Sequence, residues 1–139
     1  MEGAGKFVMI VDDDPDSREI LYQFLAGKGF EIATVDCGAE CLKTLQRRPV
    51  DLLLLDLRMP GLDGMEVLEH ITRTWPQIRV VVVSAYGDWE TYFEATGKGA
   101  VDVLQKPLIE NQLGRVVEAA FRRGAPASEA SLAPTKTTP

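Results

Sequence analysis

Phe7-Val8-Met9-Ile10-Val11-Asp12-Asp13-Asp14-Pro15 changes character twice. An unbroken apolar run rich in β-branched residues suits a strand buried on both faces. The aspartates end that run, and Asp14-Pro15 supplies a helix cap followed by a proline at the first helical position. The same change recurs along the chain. Residues 7–11, 32–35, 52–55, 80–83 and 101–104 read as strands, and an amphipathic segment follows each.

The helical segments carry apolar residues three to four apart. Ile20, Leu21, Phe24 and Leu25 share one face of the first. Cys41, Leu42 and Leu45 share a face of the second, and Met65, Leu68 and Ile71 a face of the third. Leu113, Val116, Val117, Ala120 and Phe121 mark the last. Asp63 followed by Glu66 is an acidic relative of the capping box, and Pro49 and Pro76 stop the second and third helices. Arg122, Arg123 and Gly124 form a typical helix end. A fourth helix over about 88–96 contains Trp89, Tyr92 and Phe93 and runs into Gly97 and Gly99. Its spacing predicts that one or two of these aromatics pack inward. The set also reads as a candidate apolar patch for a second copy or an output partner.

Strict βα alternation predicts a parallel sheet with helices on both faces. Strands 7–11, 52–55 and 80–83 are apolar throughout, as interior strands must be. Residues 31–35 (Glu-Ile-Ala-Thr-Val) and 101–104 (Val-Asp-Val-Leu) include polar residues, as edges can. The pattern fits a flavodoxin-like, doubly wound, five-stranded α/β sheet of order 2-1-3-4-5. Residues 1–123 form the predicted domain. Residues 124–139 are rich in Ala, Pro, Ser and Thr, and are expected to be a disordered tail or linker.

The chain of 139 residues has a formal net charge of −6, which argues against direct nucleic-acid binding. No apolar run is long enough for a membrane span, and no secretory signal pattern opens the chain, so a cytoplasmic location is expected. Cys37 and Cys41 read as reduced thiols, and His70, the only histidine, as a helix surface residue.

In the predicted order, ligands bind outside the carboxyl ends of the strands where the chain reverses direction between strands one and three. Asp12, Asp13 and Asp14 follow strand one there, and Asp56 ends strand three. Carboxylates about 4 Å apart repel by roughly 4 kcal/mol at an effective dielectric near 20, so protons or a cation must intervene. All-oxygen ligands on the rim of an open crevice favour Mg²⁺. Helix capping alone explains Asp14 but not Asp56, which ends an apolar strand. Ser84 and Lys106 reach the same edge from strands four and five. A carboxylate can act as a nucleophile toward phosphorus, and an ammonium, a hydroxyl and a cation around it are what such an acceptor needs.

Four motifs carry a family resemblance over residues 6–123. They are Val-Asp-Asp-Asp-Pro at 11–15, Asp-Leu-Arg-Met-Pro-Gly-Leu-Asp-Gly at 56–64, Ser-Ala-Tyr-Gly-Asp at 84–88 and Lys-Pro at 106–107. Together they resemble the receiver domains of bacterial response regulators. The resemblance implies that Asp56 accepts a phosphoryl group from a histidine kinase or histidine phosphotransfer protein. It implies that Asp13 binds Mg²⁺ directly, Asp12 through water, and Arg58 through its main-chain carbonyl. Ser84 would bond a phosphoryl oxygen, Lys106 would pair with the acceptor, and the Lys106–Pro107 bond would be cis. The face formed by the fourth helix, fifth strand and fifth helix commonly meets a partner or a second copy in this family. Self-phosphorylation and self-dephosphorylation would be the only chemistry, so a switch rather than an enzyme is expected.

The chain departs from the family at Val103, where a Tyr or Phe usually signals activation by rotating inward. Readout is therefore expected through Ser84 and its loop. Arg58 and Tyr86 occupy two variable pocket positions, and their bulk is expected to slow hydrolysis of the phosphorylated form. Other readings fit less well. An aspartyl-nucleophile phosphohydrolase would want a second aspartate at position 58, which is Arg, and a flavin site would want a phosphate-binding loop where Asp12–Asp14 stand. A degenerate receiver, constitutively binding a partner, would not need the intact acidic pair, Asp56, Ser84 and Lys106.

Overall fold

The computed structural model describes residues 3, 5–59, 61–85 and 88–123. The elements run β1 (Phe7–Val11), α1 (Pro15–Gly27), β2 (Glu31–Val35), α2 (Gly38–Arg47), β3 (Leu52–Asp56), β4 (Arg58–Met59), β5 (Leu62–Asp63), α3 (Gly64–Thr74), β6 (Arg79–Ser84), α4 (Trp89–Gly97), β7 (Asp102–Gln105) and α5 (Glu110–Arg123). Five strands make one parallel sheet in the order β2-β1-β3-β6-β7. That is the expected 2-1-3-4-5 order, because β4 and β5 form a separate antiparallel ladder pairing Arg58 with Asp63.

Every residue of β1 and β3 is buried, and alternate side chains serve opposite layers. Met9, Val11, Leu53, Leu55, Val80 and Val82 face a core completed by Cys41 and Leu45 of α2 and by Leu68 and Ile71 of α3. Val8, Ile10, Leu52, Leu54, Val81 and Val83 face the other, with Leu21 and Leu25 of α1 and Leu113, Val117 and Ala120 of α5. The lower end of the sheet is stapled by Asp51. Its Oδ2 accepts the Phe7 N–H at 2.8 Å, its own N–H donates to the Phe7 carbonyl, and its carbonyl accepts the Arg79 N–H.

The expected caps at Asp14 and Asp63 form, and the structure adds a third at Asp88. Asp14 accepts from the Asp16 N–H, Asp63 from Met65 and Glu66, and Asp88 from Thr91. Two expectations about packing are corrected. Ile20 is 46% exposed, because the buried stripe of α1 is Ser17, Leu21 and Leu25, and Ile20 lies roughly 100° from Leu21 around the helix. In α4 none of the three aromatics packs inward. Trp89 is 73% exposed, Phe93 64% and Tyr92 37%. The one buried residue of α4 is Ala95, and Tyr92, Trp89 and Phe93 lie roughly 60°, 120° and 160° from it. The expected tail at 124–139 lies outside the described residues.

Gly64, the first residue of α3, packs directly on the residue after Asp56: a Cβ there would collide with the Leu57 backbone, including its carbonyl oxygen. Gly64→Ala is therefore expected to lower stability by about 1–3 kcal/mol, read as a reduced urea midpoint, and to displace the Leu57 segment.

Candidate functional site

At the carboxyl edge of the sheet, β1 delivers Asp12 and β3 delivers Asp56. Both are buried at the ends of strands that contain no other polar side chain. Asp13 joins them from the exposed turn, and the carboxylate oxygens of Asp12, Asp13 and Asp56 lie within 4.8 Å of one another. β6 contributes Ser84, also buried, and the segment after β7 contributes Lys106. The Lys106 N–H donates to the Ser84 carbonyl at 2.8 Å, so the two strand ends are locked together. The Lys106–Pro107 peptide is cis.

The Lys106 ammonium lies 3.3 Å from Asp12 Oδ2 and 3.3 Å from Asp56 Oδ2. Backbone N–H groups hold the other oxygens: Asp14 N donates to Asp12 Oδ1 at 2.9 Å, and Arg58 N donates to Asp56 Oδ1 at 2.9 Å. Burial pushes the Asp12 carboxyl up to about 6, and the neighbouring Asp56 charge adds to this against the opposing Asp14 N–H and Lys106. For Lys106, burial disfavours the charge, but Asp12 and Asp56 outweigh it and raise its pKa.

The cluster holds more carboxylate than ammonium. Asp12 Oδ2 is buried and, despite its ion pair with Lys106, accepts no hydrogen bond. A buried carboxylate oxygen that shares a single ammonium with Asp56, among hard oxygen ligands open to solvent on the Asp13 side, fits a divalent cation. Of the carboxylates at this edge, Asp14 is set apart. Its side chain caps α1 and accepts from the Ser17 hydroxyl at 3.0 Å, and the Ser17 and Asp16 donors lower its pKa.

The remaining candidates sit at the rim or beyond. Arg58 is exposed, opposite Asp63 in the β4–β5 ladder, while Tyr86 lies outside the described residues. Val103 is half-buried against the α2–α3 layer, and it lines an open groove of about 300 Å³ between β7 and α5 with Gln105, Gln112 and Arg115. Trp89 stacks on Phe93 at 5.6 Å and meets Tyr92 edge-on, forming an aromatic cluster well exposed to solvent. One contributor has no signature in the sequence. Arg18 Nη1 donates to the Asp12 carbonyl at 2.8 Å, yet an arginine four residues past an acidic cap reads as an ordinary solvated cation.

A family model described as the response regulator receiver domain matches residues 8–118. The chain is 34% identical over 122 residues to the transcriptional regulatory protein GlrR of Escherichia coli strain K12, covering 88% of this chain and 28% of that protein. It is 38% identical over 114 residues to the DNA-binding transcriptional regulator NtrC of the same strain, covering 82% and 24%. The chain thus spans about a quarter of the length of these relatives. The crystal structure of the NtrX receiver domain from Brucella abortus superposes with a TM-score of 0.78 at 32% identity, covering 83% of this chain and 98% of that one. TrrA from Thermotoga maritima, crystallised in complex with Mg²⁺-BeF, superposes with a TM-score of 0.74 at 30% identity, with the same coverages.

Because the folded state raises the Asp12 pKa from 3.8 to about 6, it binds more protons than the unfolded chain between these values. Without a divalent cation, that term lowers stability as pH rises from about 4 to about 6. Asp12→Asn removes it, so the variant is expected to be more stable than the wild type at pH 7 in urea titrations with EDTA. The difference should vanish near pH 4.

Proposed function

The chain belongs to the response regulator receiver domain family, and on that premise we propose that it is a phosphorylation-controlled signalling switch whose acceptor is Asp56. The observation that carries this reading is the buried Asp56 carboxylate, paired with Lys106 at 3.3 Å and set among Asp12 and Asp13 at the open edge of the sheet. An Asp56 oxygen attacks phosphorus on a phosphohistidine of a histidine kinase or phosphotransfer protein. The new O–P bond forms as the N–P bond breaks, and the electron pair leaves with the imidazole nitrogen, which is protonated. Lys106 balances charge on the acceptor and then on the phosphoryl oxygens, and the Ser84 hydroxyl donates to one of those oxygens.

Asp12, Asp13, Asp56 and the main-chain carbonyl of Arg58 would hold Mg²⁺, in keeping with the excess of carboxylate over ammonium at this edge and with the Mg²⁺-BeF complex of TrrA. Bound there, the ion supplies positive charge that offsets the carboxylates and the phosphoryl oxygens. The only catalysis expected is on the protein's own Asp56.

Phosphorylation then changes the surface offered to a partner. With Val103 in place of an aromatic ring, Ser84 and the loop after it carry the signal toward α4. Trp89, Tyr92 and Phe93, with the α4–β7–α5 face, are where an output partner or a second copy docks. No described helix is long and apolar enough to cross a membrane. A cytoplasmic location and no nucleic-acid contact by this domain complete the reading, although its relatives GlrR and NtrC are transcriptional regulators.

Intact-mass spectrometry after incubation with Mg²⁺ and acetyl phosphate tests the proposal. One added phosphoryl group is expected in the wild type, none in Asp56→Asn and none with EDTA. Failure to gain mass from both acetyl phosphate and a phosphorylated histidine kinase would leave only a constitutive interaction module. Arg58→Ala and Tyr86→Ala are each expected to shorten the lifetime of the phosphorylated form several-fold, followed by loss of the added mass with time. Unchanged lifetimes in both would remove these side chains from control of hydrolysis.

A further inference from the structure

We propose that Arg18 is a positioning residue for the cation site, acting through the Asp12–Asp13 peptide; the inference rests on the cation-dependent reading above. The last registered residue of β1 is Val11, paired with Val35 on one side and Leu55 on the other. Asp12 therefore leaves the ladder. Its N–H still reaches the Val35 carbonyl at 3.1 Å, and its Oδ1 is held by Asp14 N. Its carbonyl is caught from the side by Arg18 Nη1 at 2.8 Å. The Asp12 carbonyl and the Asp13 N–H belong to one rigid plane, so holding the oxygen sets the direction in which the chain leaves toward Asp13.

That direction matters because Asp13 is exposed, yet its carboxylate lies within 4.8 Å of those of Asp12 and Asp56. Like charges at such range spread apart unless the backbone is held. The contact of Arg18 is to a main-chain oxygen, so it acts on geometry rather than as a counterion to the carboxylates. The same side chain lines an open cleft of about 280 Å³ with Thr34, Asp36 and Glu40, so solvent can fill the space left by a shorter residue.

The test is Mn²⁺ binding by the whole chain, read from the electron paramagnetic resonance signal of the free ion. Arg18→Met and Arg18→Ala are each expected to raise the dissociation constant about tenfold, as loss of an outer-shell partner does, so one folded variant suffices. Arg18→Lys, which keeps a donor, should recover most of the affinity. Asp51→Ala, which removes the staple at the far end of the sheet, controls for simple destabilisation and should bind Mn²⁺ as the wild type does. Wild-type affinity in a folded Arg18→Met or Arg18→Ala variant, or an equal loss in Asp51→Ala, overturns the proposal. Absence of Mn²⁺ binding by the wild type would instead overturn the cation site itself, and this inference with it.

Discussion

A strand buried on both faces can carry a charge only at its end. β1 and β3 obey that constraint strictly: every side chain from Phe7 to Val11 and from Leu52 to Leu55 is apolar, and Asp12 and Asp56 come next. Because the strands are parallel and adjacent, their ends fall at one edge, and the carboxylates meet there. The two core layers, the helices that cover them and the site all follow from this arrangement. The helices must cover both faces because the strands are apolar on both, which leaves the sheet edge as the one place where polar chemistry can gather.

The gathering is electrostatically costly, and the structure offsets the cost only in part. Lys106 is shared between Asp12 and Asp56, and backbone N–H groups satisfy one oxygen of each. Burial still raises the Asp12 pKa, and its Oδ2 accepts no hydrogen bond. A site left short of positive charge in this way responds strongly to any group that changes its charge, whether a proton, a cation or a phosphoryl group. Stability given up at such an edge is consistent with a switch, in which the charge state must alter the structure around it.

The fourth helix is the counterpart of that tension on the surface. It buries only Ala95 of its own residues, while Trp89, Tyr92 and Phe93 pack on one another in solvent. At its other end α4 is fastened to α3: Lys98 pairs with Glu69, and the Thr72 hydroxyl donates to the Lys98 carbonyl at 2.6 Å. Gly99, at φ +107°, lets the chain turn against Thr72, where a Cβ would collide. The helix is thus anchored at its carboxyl end and presents bulky apolar side chains toward its amino end.

The sheet order, the interior strands and the acidic edge were legible from sequence because they depend on local regularities. Apolar runs mark interior strands, mixed runs mark edges, and Asp56 stands out as the charge that ends four leucines. Ser84 directly follows the apolar run 80–83, and Lys106 comes just after the strand read at 101–104. Tertiary structure alone decided the side of the helix on which Ile20 and the α4 aromatics lie, because apolar spacing does not say which of several hydrophobic stripes meets the sheet. It alone revealed the collision that fixes Gly64 against Leu57 and the contact of Arg18 with the Asp12 carbonyl. Such contacts depend on where two elements sit in space. A one-dimensional pattern records how a side chain is spaced along its own element, and not which backbone atom of another segment it will reach.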